Sequence, residues 1–202
     1  MHGISGIGIS GVILAGGLGR RMGGVDKGLQ PLRGKAMVEH VLARLAPQVD
    51  EIVINANQNL ERYAAFGHRV VSDRVGGFAG PLAGLHAGLE AISQPLAVTV
   101  PCDSPFLPSD LVARLRQHLG GNDLAVAKTG EQPHPVFALV RRSVASNLEA
   151  FLAAGGRKID AWYASLSVVE VAFDDEADAF RNINTLEELG KMGTDPIFRD
   201  CK

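Results

Sequence analysis

Short runs of buried-type residues alternate along the chain with segments of helical periodicity, and this alternation restricts the possible folds strongly. The runs are continuous in Val, Ile, Leu and Ala, as expected of parallel strands that are covered on both faces. Five such runs are GVILA (11–15), EIVIN (51–55), RVVSD (69–73), LAVTV (96–100) and DLAVA (123–127). Two further strand candidates are PVFALV (135–140) and SVVEVAF (167–173).

Four segments between these runs have apolar residues at the spacing of an amphipathic helix. They lie within residues 38–45, 82–92, 111–119 and 144–152. Strands that alternate with helices predict one three-layer α/β domain with a mostly parallel sheet and right-handed crossovers. A capping box at Thr185 and Glu188 predicts a last short helix. We expect the domain to span residues 11–192, after a flexible extension over residues 1–10 and before a tail over residues 193–202.

Composition argues against several classes of function. The 202 residues suffice for one hydrophobic core, and the net charge of −2 gives no electrostatic basis for binding nucleic acid or an acidic membrane. The two cysteines, Cys102 and Cys201, form no C-x-x-C pair, which argues against a zinc site and a disulfide framework. No apolar run is long enough to cross a membrane, and no signal-peptide pattern is present, so we expect a cytoplasmic protein.

Polar or glycine-rich loops follow the first four predicted strands, where ligands bind in open α/β sheets. The first loop, LAGGLGRRMGGVDKG (14–28), combines six glycines with two arginines and a lysine. Glycine backbone N–H groups can hold an anion, and Arg20, Arg21 and Lys27 can contact phosphate oxygens. The alternative is a solvated basic turn. A Walker A motif is excluded, because Gly28 stands where that motif needs Ser or Thr.

Further site candidates come later in the chain. Asp103 directly follows the fourth predicted strand, where a carboxylate can hold Mg²⁺ together with substrate phosphates. Its alternative role is a helix N-cap. Asp73 ends the third strand and can equally form a local turn. Asn182 and Asn184 can ligate a metal or hold a phosphate, and their alternative role is also in a turn. Arg157 and Lys158 form a second basic spot. It suits either an anionic ligand or a solvated helix start.

In their order and spacing, these motifs resemble those of the bacterial molybdenum cofactor guanylyltransferases, the molybdopterin-guanine dinucleotide biosynthesis protein A family. The matching motifs are GGVDKG (23–28), NAN (55–57), GPLAG (80–84), PCDSPF (101–106), HP (134–135) and NINT (182–185). The resemblance covers residues 12–189 and rests on the whole set, since LAGG with a downstream lysine would also fit the wider nucleotidyltransferase superfamily. It implies a Rossmann-like fold of the nucleotide-diphospho-sugar transferase type.

The resemblance also implies a reaction and a set of site residues. GTP and molybdenum-molybdopterin would give the guanine dinucleotide cofactor and pyrophosphate, with Mg²⁺ held by Asp103. The residues implied to contact GTP are Leu14, Ala15, Gly16, Lys27, Asn55, Asp73 and Asp103, with Gly80 and Gly84 in a loop that covers the nucleotide. The glycine-rich loop adds Gly17 to the nucleotide site, and Arg21, Lys27 and Asp103 are the predicted catalytic residues.

Fewer residues are predicted to bind the acceptor, molybdenum-molybdopterin. Asn182 and Asn184 are implied to bind the pterin or assist the metal, and the charge of Arg157 and Lys158 makes them candidates for the same half. Proteins that make and deliver the molybdenum cofactor are expected as partners. Two other nucleotidyltransferase reactions are alternatives, namely formation of the cytidine dinucleotide of the same pterin and of a sugar nucleotide. A non-catalytic nucleotide-binding regulator is a further alternative, against which the charged side chains of Lys27 and Asp103 argue.

Overall fold

A seven-stranded, mostly parallel sheet forms the centre of the protein in a computed structural model, which describes residues 6–17, 25–74 and 80–183. Its strands are β1 (Ile9–Leu14), β4 (Glu51–Asn55), β5 (Arg69–Val71), β6 (Leu96–Pro101), β7 (Leu124–Thr129), β8 (Gln132–Arg141) and β9 (Val168–Ala172). They lie in the order β5-β4-β1-β6-β8-β7-β9, and β8 runs antiparallel to its neighbours β6 and β7. A separate small hairpin consists of β2 (Pro31–Leu32) and β3 (Lys35–Ala36).

Helices cover both faces of this sheet. They are α1 (Met37–Leu45), α2 (Leu60–Ala64), α3 (Pro81–Ala91), α4 (Leu111–Leu119), α5 (Ala145–Ala153) and α6 (Ile159–Tyr163). One apolar layer includes Val41 of α1 and Leu115 of α4. The opposite layer includes Leu85 of α3, Leu148 of α5 and Trp162 of α6. The predicted three-layer α/β fold with a mostly parallel sheet is therefore confirmed.

The start of the domain differs from its predicted boundary. Ile9 and Ser10, which the sequence pattern placed in the N-terminal extension, are buried members of β1. The Ile9 backbone N–H donates to Asp50 Oδ2 at 2.7 Å, and Ser10 Oγ donates to Glu51 Oε1 at 2.5 Å. These contacts join residues 41 positions apart, so the local glycine-rich sequence gave no sign of them.

Some predictions about the ends of the chain lie outside the described residues. They concern most of the predicted extension before Gly6, the capping box at Thr185 and the tail over residues 193–202. The short helices α2 and α6 were not predicted, because five residues are too few for a periodic apolar pattern to stand out. Within the described ranges, no helix is long and apolar enough to cross a membrane.

Candidate functional site

Four neighbouring strands reach their carboxyl ends in one row across the sheet. Val71 of β5 pairs with Asn55 of β4. Asn55 pairs with Leu14 of β1, which in turn pairs with Pro101 of β6. The loops that follow these strands therefore lie beyond the same edge. The chain passes from β1 to β4 on one side and later to β6 on the other, which is the topology that leaves a crevice for a ligand.

Two asparagines hold Asp73 at this edge. Asn55 Nδ2 donates to Asp73 Oδ1 at 2.8 Å, and Asn57 Nδ2 donates to Asp73 Oδ2 at 2.9 Å. Asn57 Nδ2 also donates to the Gly16 carbonyl at 3.1 Å, while its Oδ1 accepts the Asp73 backbone N–H at 2.9 Å. The carboxylate of Asp73 thus ties together the loops after β1, β4 and β5, in addition to any role it has in a local turn.

A small, shallow cleft lies beside this network, on the side of the glycine-rich loop. Its lining includes Ala15, Gly16, Gly17, Asp26 and Asn57. The backbone N–H of Ala15 continues the sheet by donating to the Asn55 carbonyl at 2.8 Å. A Cβ atom on Gly16 would lie 2.7 Å from Asn57 Nδ2, whereas one on Gly17 would meet no atom of the described residues within 4 Å. The LAGG motif thus packs its first glycine against the asparagines and leaves its second glycine open to the cleft.

The second glycine of the GPLAG motif lies in a helix and not in the predicted loop. Gly80 immediately precedes α3 with a φ of 69°, and Gly84 lies inside that helix. The prediction that Gly84 belongs to a loop over the nucleotide is therefore wrong. A Cβ atom on Gly84 would overlap Asn55 Oδ1 and lie 2.9 Å from Asn55 Cγ. Because residue 84 is a glycine, α3 can approach the Asn55 side chain, which holds Asp73. Gly84 therefore affects the site indirectly, through Asn55.

We expect Gly84→Ala to lower both stability and GTP affinity. Alanine favours the helix by up to ~1 kcal/mol, but overpacking typically costs about 1–3 kcal/mol. The Asn55 amide cannot yield easily, because it is bonded to Asp73. Gly88→Ala is the matched control in the same helix, since its Cβ would lie 2.5 Å from Val12 Cγ1 in the core. Thermal unfolding should show both variants destabilised, and titration with GTP should show weakened binding for Gly84→Ala alone. Equal GTP affinity in the two variants would contradict this role for Gly84.

Lys27 and Asp103 meet at the same edge, as an oppositely charged pair. Lys27 Nζ lies 3.1 Å from Asp103 Oδ2, and the two side chains are 20% and 11% exposed. Asp103 follows β6, whereas α4 begins at Leu111 with Asp110 as its N-cap. The alternative role of Asp103 as a helix cap is therefore wrong. A cation and a carboxylate at this edge of the sheet can together receive phosphate oxygens and a hard metal ion.

The segment that contains Asn182 is attached to the loop after β6. The Ile183 backbone N–H donates to the Asp103 carbonyl at 2.9 Å, and Ser104 Oγ donates to Asn182 Oδ1 at 2.6 Å. Ile183 is fully buried in a small cluster with Leu32 and Met37. The structure therefore brings Asn182, which is far away in sequence, next to Asp103. Asn184 and Arg21 lie outside the described residues, and their predicted roles stay predictions.

The second basic spot has a structural role of its own. Arg157 Nη1 donates to the carbonyls of Leu152 (2.9 Å) and Gly156 (2.6 Å) at the end of α5. The alternative of a helix start fits Lys158, which immediately precedes α6, whereas Arg157 is bonded to the end of the preceding helix. Positive charge near the end of a helix also interacts favourably with its dipole. The predicted contact of Arg157 and Lys158 with the pterin stays a prediction.

The histidine of the HP motif lies in a small aromatic cluster. His134 stacks on Phe180 with ring centroids 4.6 Å apart, and its Nε2 lies 2.8 Å from Thr129 Oγ1. Burial lowers the pKa of His134, which favours the neutral ring. Since β8 begins at Gln132, beyond the end of β6, the cluster lies towards the same edge of the sheet as Asp103.

The structure adds polar residues that were not among the predicted site residues. Asn57 is the most prominent, and its place in the NAN motif after β4 could have revealed it. Ser104 could have been found from its position beside Asp103. Asp26 belongs to the GGVDKG motif, but its contact with Tyr63 could not be seen in the sequence, because it joins residues 37 positions apart and Tyr63 looks like an ordinary core aromatic.

Comparisons with known proteins agree with this arrangement. The family described as "MobA-like NTP transferase domain" matches residues 11–168. A molybdenum cofactor guanylyltransferase from Cupriavidus necator is 56% identical over 188 residues, which cover 90% of this chain and 94% of the relative. Another from Shewanella putrefaciens is 51% identical over 189 residues, covering 93% of this chain and 97% of the relative.

A solved structure gives the same result at the level of the fold. It is that of molybdopterin-guanine dinucleotide biosynthesis protein A from Archaeoglobus fulgidus, with a TM-score of 0.77 and 29% sequence identity. The match covers 91% of this chain and 96% of that one. The resemblance that the sequence motifs indicated is confirmed by these relatives. This chain belongs to the family of MobA-like NTP transferase domains.

Proposed function

We infer that the protein is an enzyme that transfers GMP from GTP to the terminal phosphate of molybdenum-molybdopterin. The products are the molybdopterin guanine dinucleotide cofactor and pyrophosphate. The relatives at 51–56% identity are named for this activity, and they cover nearly the whole chain. We expect the enzyme in the cytoplasm, where proteins that make and deliver the cofactor are its expected partners.

The Lys27–Asp103 pair is the observation that carries this proposal. The pair lies at the sheet edge beyond β6. The backbone carbonyl of Asp103 accepts a hydrogen bond from Ile183, next to Asn182. The cleft lined by Gly16 and Gly17 follows the neighbouring strand β1. We assign the cleft side to GTP and the Asn182 side to the pterin, so that the charged pair lies where the two anionic substrates meet.

The chemistry requires positioning and charge stabilisation from the protein. An oxygen of the acceptor phosphate forms a bond to the α-phosphorus of GTP, and the bond from that phosphorus to the bridging oxygen of pyrophosphate breaks. A phosphate monoester is largely ionised near neutral pH, so no general base is needed. The Lys27 ammonium offsets the negative charge that gathers on the phosphate oxygens, which is the main way a protein lowers such a barrier.

The residues present suit Mg²⁺ at Asp103. Mg²⁺ is usually bound by one or two carboxylates together with substrate phosphates. Asp103 offers a hard oxygen donor on a side chain that is 11% exposed, and the adjacent lysine also favours phosphate. In the described ranges, no group of three or more His, Cys, Asp or Glu side chains could form a metal site. When bound, the ion would supply charge neutralisation between the two substrates.

Release of pyrophosphate tests the proposed reaction directly. The purified protein is incubated with Mg²⁺ and molybdenum-molybdopterin, and with either GTP or CTP. We expect pyrophosphate and the guanine dinucleotide with GTP, and little product with CTP. Faster release with CTP would indicate a cytidylyltransferase. If GTP binds and neither nucleotide is turned over, the protein is a nucleotide-binding regulator.

We expect Asn182→Asp to impair use of the pterin far more than binding of GTP. An aspartate keeps an oxygen that can accept the Ser104 hydroxyl, so the local hydrogen bond survives. The new negative charge repels the acceptor phosphate, whereas an amide can donate to it. Separate titrations with GTP and with molybdopterin measure the two affinities. Asn182→Ala is the control that removes the amide without adding charge, and its effect should be smaller. Collapse of GTP binding with molybdopterin binding intact would reverse our assignment of the two halves.

A further inference from the structure

The residue before Lys27 carries a carboxylate whose role is not explained by the chemistry above. Asp26 lines the cleft, where a negative charge would repel the phosphates of a nucleotide. Both of its oxygens are engaged by neutral donors. Tyr63 Oη donates to Asp26 Oδ1 at 2.6 Å, and Asn59 Nδ2 donates to Asp26 Oδ2 at 3.0 Å.

Tyr63 is suited to act as a permanent donor to this carboxylate. It belongs to α2 and is 0% exposed. Burial raises the pKa of the Tyr63 phenol far above its ordinary value, so the hydroxyl keeps its proton at every physiological pH. Asn59 immediately precedes α2 and has a φ of 52°, a conformation that asparagine tolerates better than most residues.

The backbone around Lys27 is also fixed against Tyr63. A Cβ atom on Gly28 would lie 2.5 Å from Tyr63 Oη and 3.2 Å from Cys102 Sγ, so only glycine lets the chain pass here. Cys102 directly precedes Asp103 in sequence. The segment with Lys27 is thus held between α2 on one side and the loop of the Asp103 carboxylate on the other.

The carboxylate of Asp26, which is adjacent to Lys27 in sequence, could compete with Asp103 for the Lys27 ammonium group. Lys27 Nζ is paired with Asp103 Oδ2 at 3.1 Å, while Asp26 is directed to α2. If Asp26 lost a donor, one of its oxygens would need a new partner in a half-buried place, and the adjacent Lys27 could supply it. The ammonium would then move away from the position where the phosphates react.

We propose that Tyr63, assisted by Asn59, is a positioning residue that holds Asp26 away from Lys27 and thereby keeps the Lys27 ammonium beside Asp103. The inference rests on the proposed function, because it takes Lys27 as the group that meets the phosphates. In this proposal, the buried Tyr63 hydroxyl affects turnover through Asp26 and then through Lys27.

Tyr63→Phe tests the proposal, because it removes the hydroxyl and keeps the ring. We expect kcat to fall by about 10-fold or more, as displacing a reacting group by ~1 Å can cost 10²-fold. The matched control is Tyr163→Phe. It removes a partly buried hydroxyl that donates to the Pro135 carbonyl at 2.7 Å, and it should keep turnover. Thermal unfolding of both variants shows whether they fold.

Rescue separates a positioning role from a merely structural one. In the double variant with Asp26→Asn and Tyr63→Phe, the competing charge is gone, so kcat should return to the value of Asp26→Asn alone. In a Lys27→Ala background, Tyr63→Phe should have no further effect on kcat, since coupled residues are not additive. If Tyr63→Phe does not fold, Asn59→Gly tests the same link, because glycine keeps the positive φ and removes the other donor.

The outcomes are distinguishable from failure of the proposed function. If the unmodified protein releases no pyrophosphate from GTP and molybdopterin, the proposed reaction is wrong. If it does, a kcat of Tyr63→Phe within two-fold of normal overturns the positioning role. So does a loss of activity that Asp26→Asn fails to rescue.

Discussion

Asp103→Ala should abolish most of the guanylyl transfer and leave the fold intact. Loss of one group that stabilises charge in a transition state typically costs roughly 10²–10³ in rate, and loss of a metal ligand can cost more. The contact that holds the Asn182 segment uses the Asp103 backbone carbonyl, which the substitution keeps. The acceptor half should therefore stay in place while the carboxylate is missing. Steady-state pyrophosphate release and circular dichroism measure the two effects.

Asp103→Asn is the sharper comparison for the same site. It keeps the size of the side chain and one carbonyl oxygen, but it removes the negative charge that pairs with Lys27. We expect a loss of rate close to that of the alanine variant, with the temperature of unfolding nearly unchanged. Near-normal turnover of either variant in saturating Mg²⁺ would refute the assignment of Asp103.

Lys27→Ala should have the next largest effect, about 10²-fold on kcat/KM. The ammonium stands beside Asp103 at the edge where we place the phosphates. Both side chains are largely buried, so loss of the ammonium leaves the Asp103 carboxylate without this partner, and the temperature of unfolding should also fall. Lys27→Arg is the control that keeps the charge but changes its shape, and it should retain more activity than the alanine variant.

Turnover and unfolding must be measured together for Lys27→Ala. A large fall in the temperature of unfolding with unchanged turnover would mean that the loop is structural. Arg21→Ala belongs to the same experiment. Its position lies outside the described residues, and the sequence predicts that it weakens catalysis more than folding.

The sheet edge could be predicted from the sequence because its signals are local. Continuous apolar runs marked the strands, and each was followed by a residue whose chemistry stood out, such as Asn55 or Asp103. Parallel strands bring such residues to one edge whatever the details of the loops. The position of Asn182 beside Asp103 is a long-range contact, and only the family resemblance placed it at the site.

The parts that could not be predicted depend on three-dimensional packing. Gly84 was expected in a loop because it ends a glycine-rich segment, although the apolar spacing over residues 82–92 also placed it within a predicted helix. The structure shows that its role is close approach of α3 to Asn55, which no neighbouring residue reveals. Tyr63 and Asp26 are coupled across 37 positions, and either residue alone has an ordinary explanation. Helix, strand and turn propensities describe a residue within its own segment, whereas the roles of Gly84, Tyr63 and Asp26 depend on contacts between segments.

Because β8 is antiparallel, the two halves of the sheet edge differ in how freely their loops can vary in length. On the β1 side, the loops lead into helices that must pack back onto the sheet, and side chains such as Asn57 tie them together. On the β7 side, the edge is closed by a hairpin turn over residues 130–131. Surface hairpins accept insertions without moving the helices that cover a sheet. A longer turn at residues 130–131 would therefore leave the loops after β1, β4 and β5 in place, because those loops are held by their own side-chain hydrogen bonds.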